Sequence, residues 1–331
     1  MGKDLVKIGV IIAAIAAIIA FIQLLIALIQ LLFGEGFLVR TPPPYSTNIP
    51  TITSGLPTST FIPVPSTFML ITNMAPTAML SIKSTVQTKI SPIDGMAMVY
   101  VQDGPFKMGS TDFNDSQPVH IVNISAFWID QTDVTNSMYA KCVSAGICQS
   151  PTYTYSDKRP SYYGDPQFDN YPVIYVDWYM ANTYCQWTGR RLPTEAEWEK
   201  AARGTDERIY PWGNSAGCVL ANYYGNGNGS GSDYCVADTT EAWKHPDGTS
   251  LYGAYDMAGN VWQWVHDWYD PDYYRTFGRD NVQNPQGPSS GAKRVLRGGS
   301  WDSLEPHIRS AFRWDYDPAY SGDSVGFRCA Q

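Results

Sequence analysis

Charge is the first thing this chain is short of. Only 16% of its residues are Asp, Glu, Lys or Arg, and the acidic ones outnumber the basic ones 31 to 23, for a net charge of -8. With no basic stripe to neutralise phosphates, nucleic acid is excluded as a partner. Histidine is nearly as scarce. The four, His120, His245, His266 and His307, contain no i, i+4 pair, which excludes the helix-borne zinc motif of metallohydrolases. No Cys-x-x-Cys occurs, and no His stands beside a cysteine in sequence, so a thiol-based redox or metal motif is not legible. Rings, by contrast, are abundant. Aromatics make up 14% of the chain, with 11 Trp and 22 Tyr, which suits a loop-rich globular body whose core is filled by large flat side chains.

Residues 1–40 differ from the rest. From Ile8 to Phe33 no charge interrupts the chain, a run that as a helix is roughly 39 Å long against a hydrocarbon core of roughly 30 Å. A single membrane-spanning anchor is expected. A cleaved signal peptide ranks second, because cutting among Ala14–Ala20 leaves an apolar tail from Phe21 to Phe33. Lys3 and Lys7 place the N-terminus in the cytoplasm and the remainder outside it, in the periplasm or extracellular space. Ile22-Gln-Leu-Leu25 recurs as Ile29-Gln-Leu-Leu32, so Gln23 and Gln30 lie seven residues apart on one face. That face can pack on another membrane helix, or Gln30 can simply reach the interface. Residues 41–92 are dense in Pro, Thr and Ser and read as an extended spacer, although Phe68-Met-Leu-Ile71 and Ala78-Met-Leu80 could dock on a folded surface.

The folded body is expected over residues 93–331. Met96 to Gly109 alternates around a Gly-Pro break and reads as two short strands and a turn. Polar residues then precede three helices: one from about Asn136, one from Asp177 to Thr188 closed by Gly189, and one that follows the capping box Thr194-Glu-Ala-Glu197 and runs to about Arg203. Beyond that point Gly, Asn, Asp and Pro recur without periodicity, so short strands and loops are expected. Trp262, Trp264 and Trp268 are assigned to the core. Six cysteines in an extracytoplasmic domain suggest disulfides, with 15 possible pairings. Cys142 and Cys148 flank a short loop that could close on itself.

Five blocks carry a family resemblance. Gly189-Arg-Arg-Leu-Pro-Thr-Glu-Ala-Glu-Trp198, Tyr255-Asp-Met-Ala-Gly-Asn-Val-Trp-Gln-Trp264, Arg294-Val-Leu-Arg-Gly-Gly-Ser-Trp301, Arg309-Ser-Ala-Phe-Arg313 and Gly326-Phe-Arg-Cys-Ala330 occur in order. Together they resemble the formylglycine-generating enzymes, also called sulfatase-modifying factors. The resemblance implies an α+β fold, irregular and loop-rich, related to C-type lectins. It implies a Cys185–Cys329 disulfide, which leaves Cys218 to pair with Cys235. It also implies copper-dependent oxidation of a substrate cysteine by two cysteines of the enzyme's own. Those would lie between Trp301 and Arg309, where this chain has Asp302-Ser-Leu-Glu-Pro-His-Ile308; Ser310 stands where some members have a further cysteine. Soft thiolates are what hold Cu(I), so copper is not expected here. Ser303 and His307 with Asp302 or Glu305 have the residue types of a hydrolytic triad, but sequence neighbours rarely meet its geometry.

Calcium is the metal the resemblance favours. One ion would be held by the Asp256 side chain, the Gly259 and Val261 carbonyls and the Gln263 side chain, with Asp256 and Gln263 replacing the more usual Asn and Glu. A second would use Asn222, the Tyr223 carbonyl and a carboxylate, Asp238 or Asp233. The groove that accommodates an extended peptide in this family would here present Trp301, Asp302, His307, Trp314 and Tyr316. Aromatics interleaved with carboxylates suit a protein or glycan surface. The expectation is a membrane-anchored binding or structural subunit, meeting other membrane or envelope proteins through its helix and its groove, with a peptide or glycan as possible ligand. The alternatives are a divergent enzyme of the family and a lectin-type glycan-binding module.

Overall fold

A computed structural model describes residues 86–225, 234–277 and 281–331. The expected anchor and most of the spacer, with Gln23 and Gln30, lie outside these residues, as does Asp233. Among the described residues no helix is long and apolar enough to cross a membrane.

The body is a mixed α/β fold of three small sheets. In the first, β2 (Ala97–Val101) lies between β1 (Thr88–Ile90) and β5 (Phe127–Asp130), antiparallel to both. β1 starts ahead of Ile93, so residues read as spacer contribute a strand to the body. In the second sheet β4 (His120–Ile124) pairs antiparallel with β3 (Gly104–Met108) and parallel with the short β7 (Val282–Gln283). The two strands expected around the Gly-Pro break are β2 and β3, but they join different sheets, and Gly104 and Pro105 lie inside β3 rather than in the turn. Proline is tolerated there because β3 is an edge strand. The third sheet has the order β10 (Val325–Phe327), β6 (Trp262–Trp268), β8 (Arg294–Arg297), β9 (Trp314–Tyr316), and β10 runs parallel to β6.

Three helices form where their caps predict. Thr135 accepts from Met138 N ahead of α1 (Asn136–Ser144), Asp177 accepts from Met180 N ahead of α2 (Trp178–Trp187), and the Thr194/Glu197 capping box opens α3 (Glu195–Arg203). All nine residues of α3 are buried, charged ones included. Arg297 answers them from β8, bonding Glu195 at 2.9 Å and Glu199 at 2.7 Å, while Arg313 grips both oxygens of Glu195 at 2.7 and 3.0 Å. Buried charges persist only when paired in this way.

The cysteines pair as Cys142–Cys148, Cys185–Cys329 and Cys218–Cys235. The second joins α2 to the chain's end, in a core with Tyr139, Tyr184, Trp264 and Phe327. Of the three tryptophans assigned to the core, Trp264 is wholly buried. Trp268, the last residue of β6, is half-buried beneath the Arg294 guanidinium, 3.5 Å from its ring centroid.

Candidate functional site

After β8 the chain doubles back. Gly298 and Gly299 take φ of 97° and 71°, and a Cβ on Gly299 would lie 2.6 Å from Ile308 Cγ2, so only glycine lets the returning segment pack this close. Between them, Trp301 N donates to Asn260 O at 2.9 Å and Tyr224 N to Ser303 O at 2.8 Å, pinning residues 301–303 to two neighbouring loops. A short 3-10 turn, Glu305–Ile308, completes the segment.

β9 supplies the facing wall. It is the outer strand of its sheet, and strand alternation puts Trp314 and Tyr316 on one side while Asp315 turns to the other and pairs with Lys293 at 2.6 Å. Trp314 is 40% exposed. With Asp302 and His307, these two rings line a cavity of about 240 Å³ that is completed by Trp262, Ser303, Tyr320, Asp323 and Ser324. The structure therefore brings together Asp302, His307, Trp314 and Tyr316. Trp301 stands behind the wall instead: it is 5% exposed, packs on Tyr234, and its ring N–H donates to Asp323 O at 3.3 Å. Its ring anchors the segment rather than offering a contact surface.

The rings form a continuous series. Trp314 lies 6.1 Å from Phe312 and from His307 and 6.2 Å from Trp262, centroid to centroid, and Tyr316 stacks on Tyr320 at 4.0 Å. Trp314 also borders a second hollow, of about 370 Å³, with Phe113, Phe312 and Asp112 among its walls. It is a ridge between two concavities.

Polar groups in the first cavity are unevenly matched. Burial lowers the His307 imidazole below its usual range, favouring its neutral form. Burial, and then the nearby carboxylate of Asp302, raise Asp323. Glu305 is held away from the cavity by the Tyr210 hydroxyl and by Arg309. The Ser303 hydroxyl is engaged with Ser300, 2.8 Å away, and shares no hydrogen bond with His307, so the two make no nucleophile–base pair. Trp262 and Ser324 are 7% and 8% exposed, yet the indole N–H and the hydroxyl have no partner among the described residues.

Trp262, Asp323 and Ser324 were not legible as site residues. They reach the cavity because β10 runs alongside β6, with Trp262 N donating to Ser324 O at 2.8 Å, a pairing across more than sixty residues with no local signal.

Several of the oxygens expected to hold calcium already carry hydrogen bonds. The Gln263 carbonyl accepts from Trp198 Nε1 and from Arg328 Nε, each at 2.7 Å, which uses both of its lone pairs and sets a guanidinium beside it. Its amide N–H instead ties down the Asp256 carbonyl at 2.6 Å, while the Asp256 carboxylate accepts from Trp243 N. Gly259, at φ 76°, packs its α-carbon against the Asn222 carbonyl, and Val261 is wholly buried. In the second set the Asp238 carboxylate accepts from Ser156, Lys158 N and Thr239 N and pairs with Arg159 at 3.0 Å. The Tyr223 carbonyl accepts from Cys235 N, and Asn222 Oδ1 alone is buried without a partner. Among the described residues no cluster of three or more His, Cys, Asp or Glu could hold a metal.

Comparison with known proteins agrees with this architecture. Residues 84–331 match the family described as the sulfatase-modifying factor enzyme 1-like domain. Serine/threonine-protein kinase pkn1 of Chlamydia pneumoniae is 37% identical over 246 residues, covering 71% of this chain but only 38% of that protein's length. The formylglycine-generating enzyme of Thermomonospora curvata is 32% identical over 283 residues, covering 70% of this chain and 92% of its own. Among solved structures, PvdO from Pseudomonas aeruginosa superposes with a TM-score of 0.61 at 25% identity, covering 74% of this chain and 97% of that one. Treponema denticola variable protein 1 gives 0.58 at 25%, covering 74% and 98%.

Proposed function

Because the chain belongs to the sulfatase-modifying factor family over residues 84–331, we propose that it is a binding member of that family without the oxidase chemistry. One observation carries this reading: all six cysteines are consumed in disulfides distributed through the body, while the cavity walled by Trp314 and Tyr316 is lined by no thiol at all. Oxidation of a substrate cysteine through copper needs thiolates at the ion. What the groove offers instead is aromatic surface flanked by carboxylates, the composition of a recognition site. The Trp314 ridge between two hollows suits an extended ligand lying across it.

In this reading the apolar run Ile8–Phe33 anchors the chain with its N-terminus in the cytoplasm, and residues from Thr41 on space the body away from the bilayer. Three disulfides suit an oxidising compartment outside the cytoplasm. The role is that of a subunit in a membrane or envelope assembly. The test is direct: the full chain in detergent is incubated with copper and a cysteine-bearing peptide, and the peptide is weighed. An unchanged mass is expected. Conversion of the thiol to an aldehyde overturns the proposal.

A further inference from the structure

We infer that the cavity beside Trp314 is a seat for a cationic side chain, an ammonium or a guanidinium, presented by an extended polypeptide. This inference rests on the binding role proposed above and names the ligand's chemistry.

Three observations converge on it. First, the cavity's charge is of one sign. Asp302 and Asp323 both line it, no Lys or Arg does, and neither carboxylate has an ion-pair partner among the described residues. Under α3 the opposite holds, where Glu195 and Glu199 are matched to arginines. His307 does not restore the balance, because burial favours its neutral form. Second, the walls between these carboxylates are ring faces. Trp314 and Tyr316 stand 6.5 Å apart at 71°, and electron-rich faces attract cations within about 6 Å of a ring centroid. Third, Trp262 and Ser324 are nine-tenths buried as residues and line the same cavity, while the indole N–H and the hydroxyl make no hydrogen bond among the described residues and stay open to it. Two donors left open on a cavity wall are available to a ligand's carbonyls.

Size and shape select the kind of cation. About 240 Å³ falls below the roughly 300–1,000 Å³ of small-molecule sites and suits one long side chain. The neighbouring hollow across Trp314 gives the flanking residues somewhere to lie. A neutral sugar would stack on the rings equally well, but its hydroxyls call for mixed donors and acceptors. Two uncompensated carboxylates favour a positive charge.

The experiment uses the full chain in detergent and isothermal titration calorimetry at low ionic strength. The probes are blocked pentapeptides, Gly-Gly-X-Gly-Gly, in which X is lysine, arginine or acetyl-lysine, together with a neutral tetrasaccharide. Binding of the lysine or the arginine peptide is expected, with the two arms deciding which cation fits. Acetyl-lysine should bind at least tenfold more weakly, and raising salt should weaken the cationic peptide. Asp302→Asn, which removes the charge at an exposed position and keeps an oxygen to accept from the Ser300 hydroxyl, should cost tenfold or more. Equal binding of acetyl-lysine, unaltered affinity in D302N, binding of the tetrasaccharide alone, or no binding of either cation overturns the inference. None of these results touches the reading that the chain is not an oxidase, which stands or falls on the mass of the cysteine peptide.

Discussion

The core beneath α3 and the cavity beside Trp314 are built from the same stretch of chain and treat charge in opposite ways. Under α3, Glu195 and Glu199 face Arg297, Arg313 and Arg203, all of them buried, and every carboxylate is paired with a guanidinium. A few residues on, Asp302 and Asp323 meet no cation, and Trp262 and Ser324 leave polar hydrogens unused. Pairing of the buried charges gives a rigid frame. Groups left unmatched on that frame are where outside chemistry can enter, because desolvating them without a partner would be costly.

The sharpest way to break the contrast is to remove a charge from the saturated side. Arg297→Met takes one of two guanidinium partners from each of Glu195 and Glu199, leaving Arg313 and Arg203, and should destabilise the body by about 3 kcal/mol in chemical denaturation; a loss under about 1 kcal/mol would show that the network is not structural. Next in size are the disulfides. Replacing Cys185 and Cys329 by alanine opens a separation of 144 residues, against 6 for Cys142 and Cys148. Loop-closure entropy then predicts that the first pair contributes roughly 3 kcal/mol more than the second, read as the difference between the two variants' unfolding free energies. Equal losses would point to strain or local packing instead.

A smaller effect is expected from Asp267, which is buried beside Glu195 and accepts its backbone N–H at 2.8 Å. Burial, and then the Glu195 carboxylate, push Asp267 up to about 8. The folded chain keeps this proton while the unfolded chain loses it at about pH 4. Stability from this group is therefore full below that point, falls as pH rises, and levels off above about 8. Asp267→Asn should flatten the thermal midpoint between pH 5 and pH 8, and a midpoint with an unchanged slope argues against a proton at this position. The smallest effect on stability belongs to Trp314→Ala on the unmatched side. At 40% exposure the loss should stay within about 0.5 kcal/mol, with the fold's circular dichroism unchanged. A larger loss would move Trp314 into the frame and weaken its reading as a ridge for ligands.

Local chemistry accounts for most of what could be anticipated. Helix starts are visible because a cap is a contact over three residues: Thr135, Asp177 and Thr194 each accept from the backbone three positions on. The Gly-Pro break misled because an edge strand accommodates proline, and edges are not marked in a sequence. Trp301 and Trp314 are alike as residues, and only packing separates the buried anchor from the exposed ridge.

By itself the sequence determined the family resemblance and the absence of a thiol between Trp301 and Arg309, since each of these is a matter of residue identity and order; the disulfide pairing followed only through that resemblance. Only the tertiary structure decided the shape of the site. It placed Asp323 and Ser324 beside Trp262 through the pairing of β10 with β6, filled the side-chain oxygens of Gln263 and Asp238 with donors, and left Asp302 and Asp323 without a cation. The physical reason is that matching of charge and hydrogen bonds is settled between segments far apart in the chain, and the chain order carries no record of which partners meet.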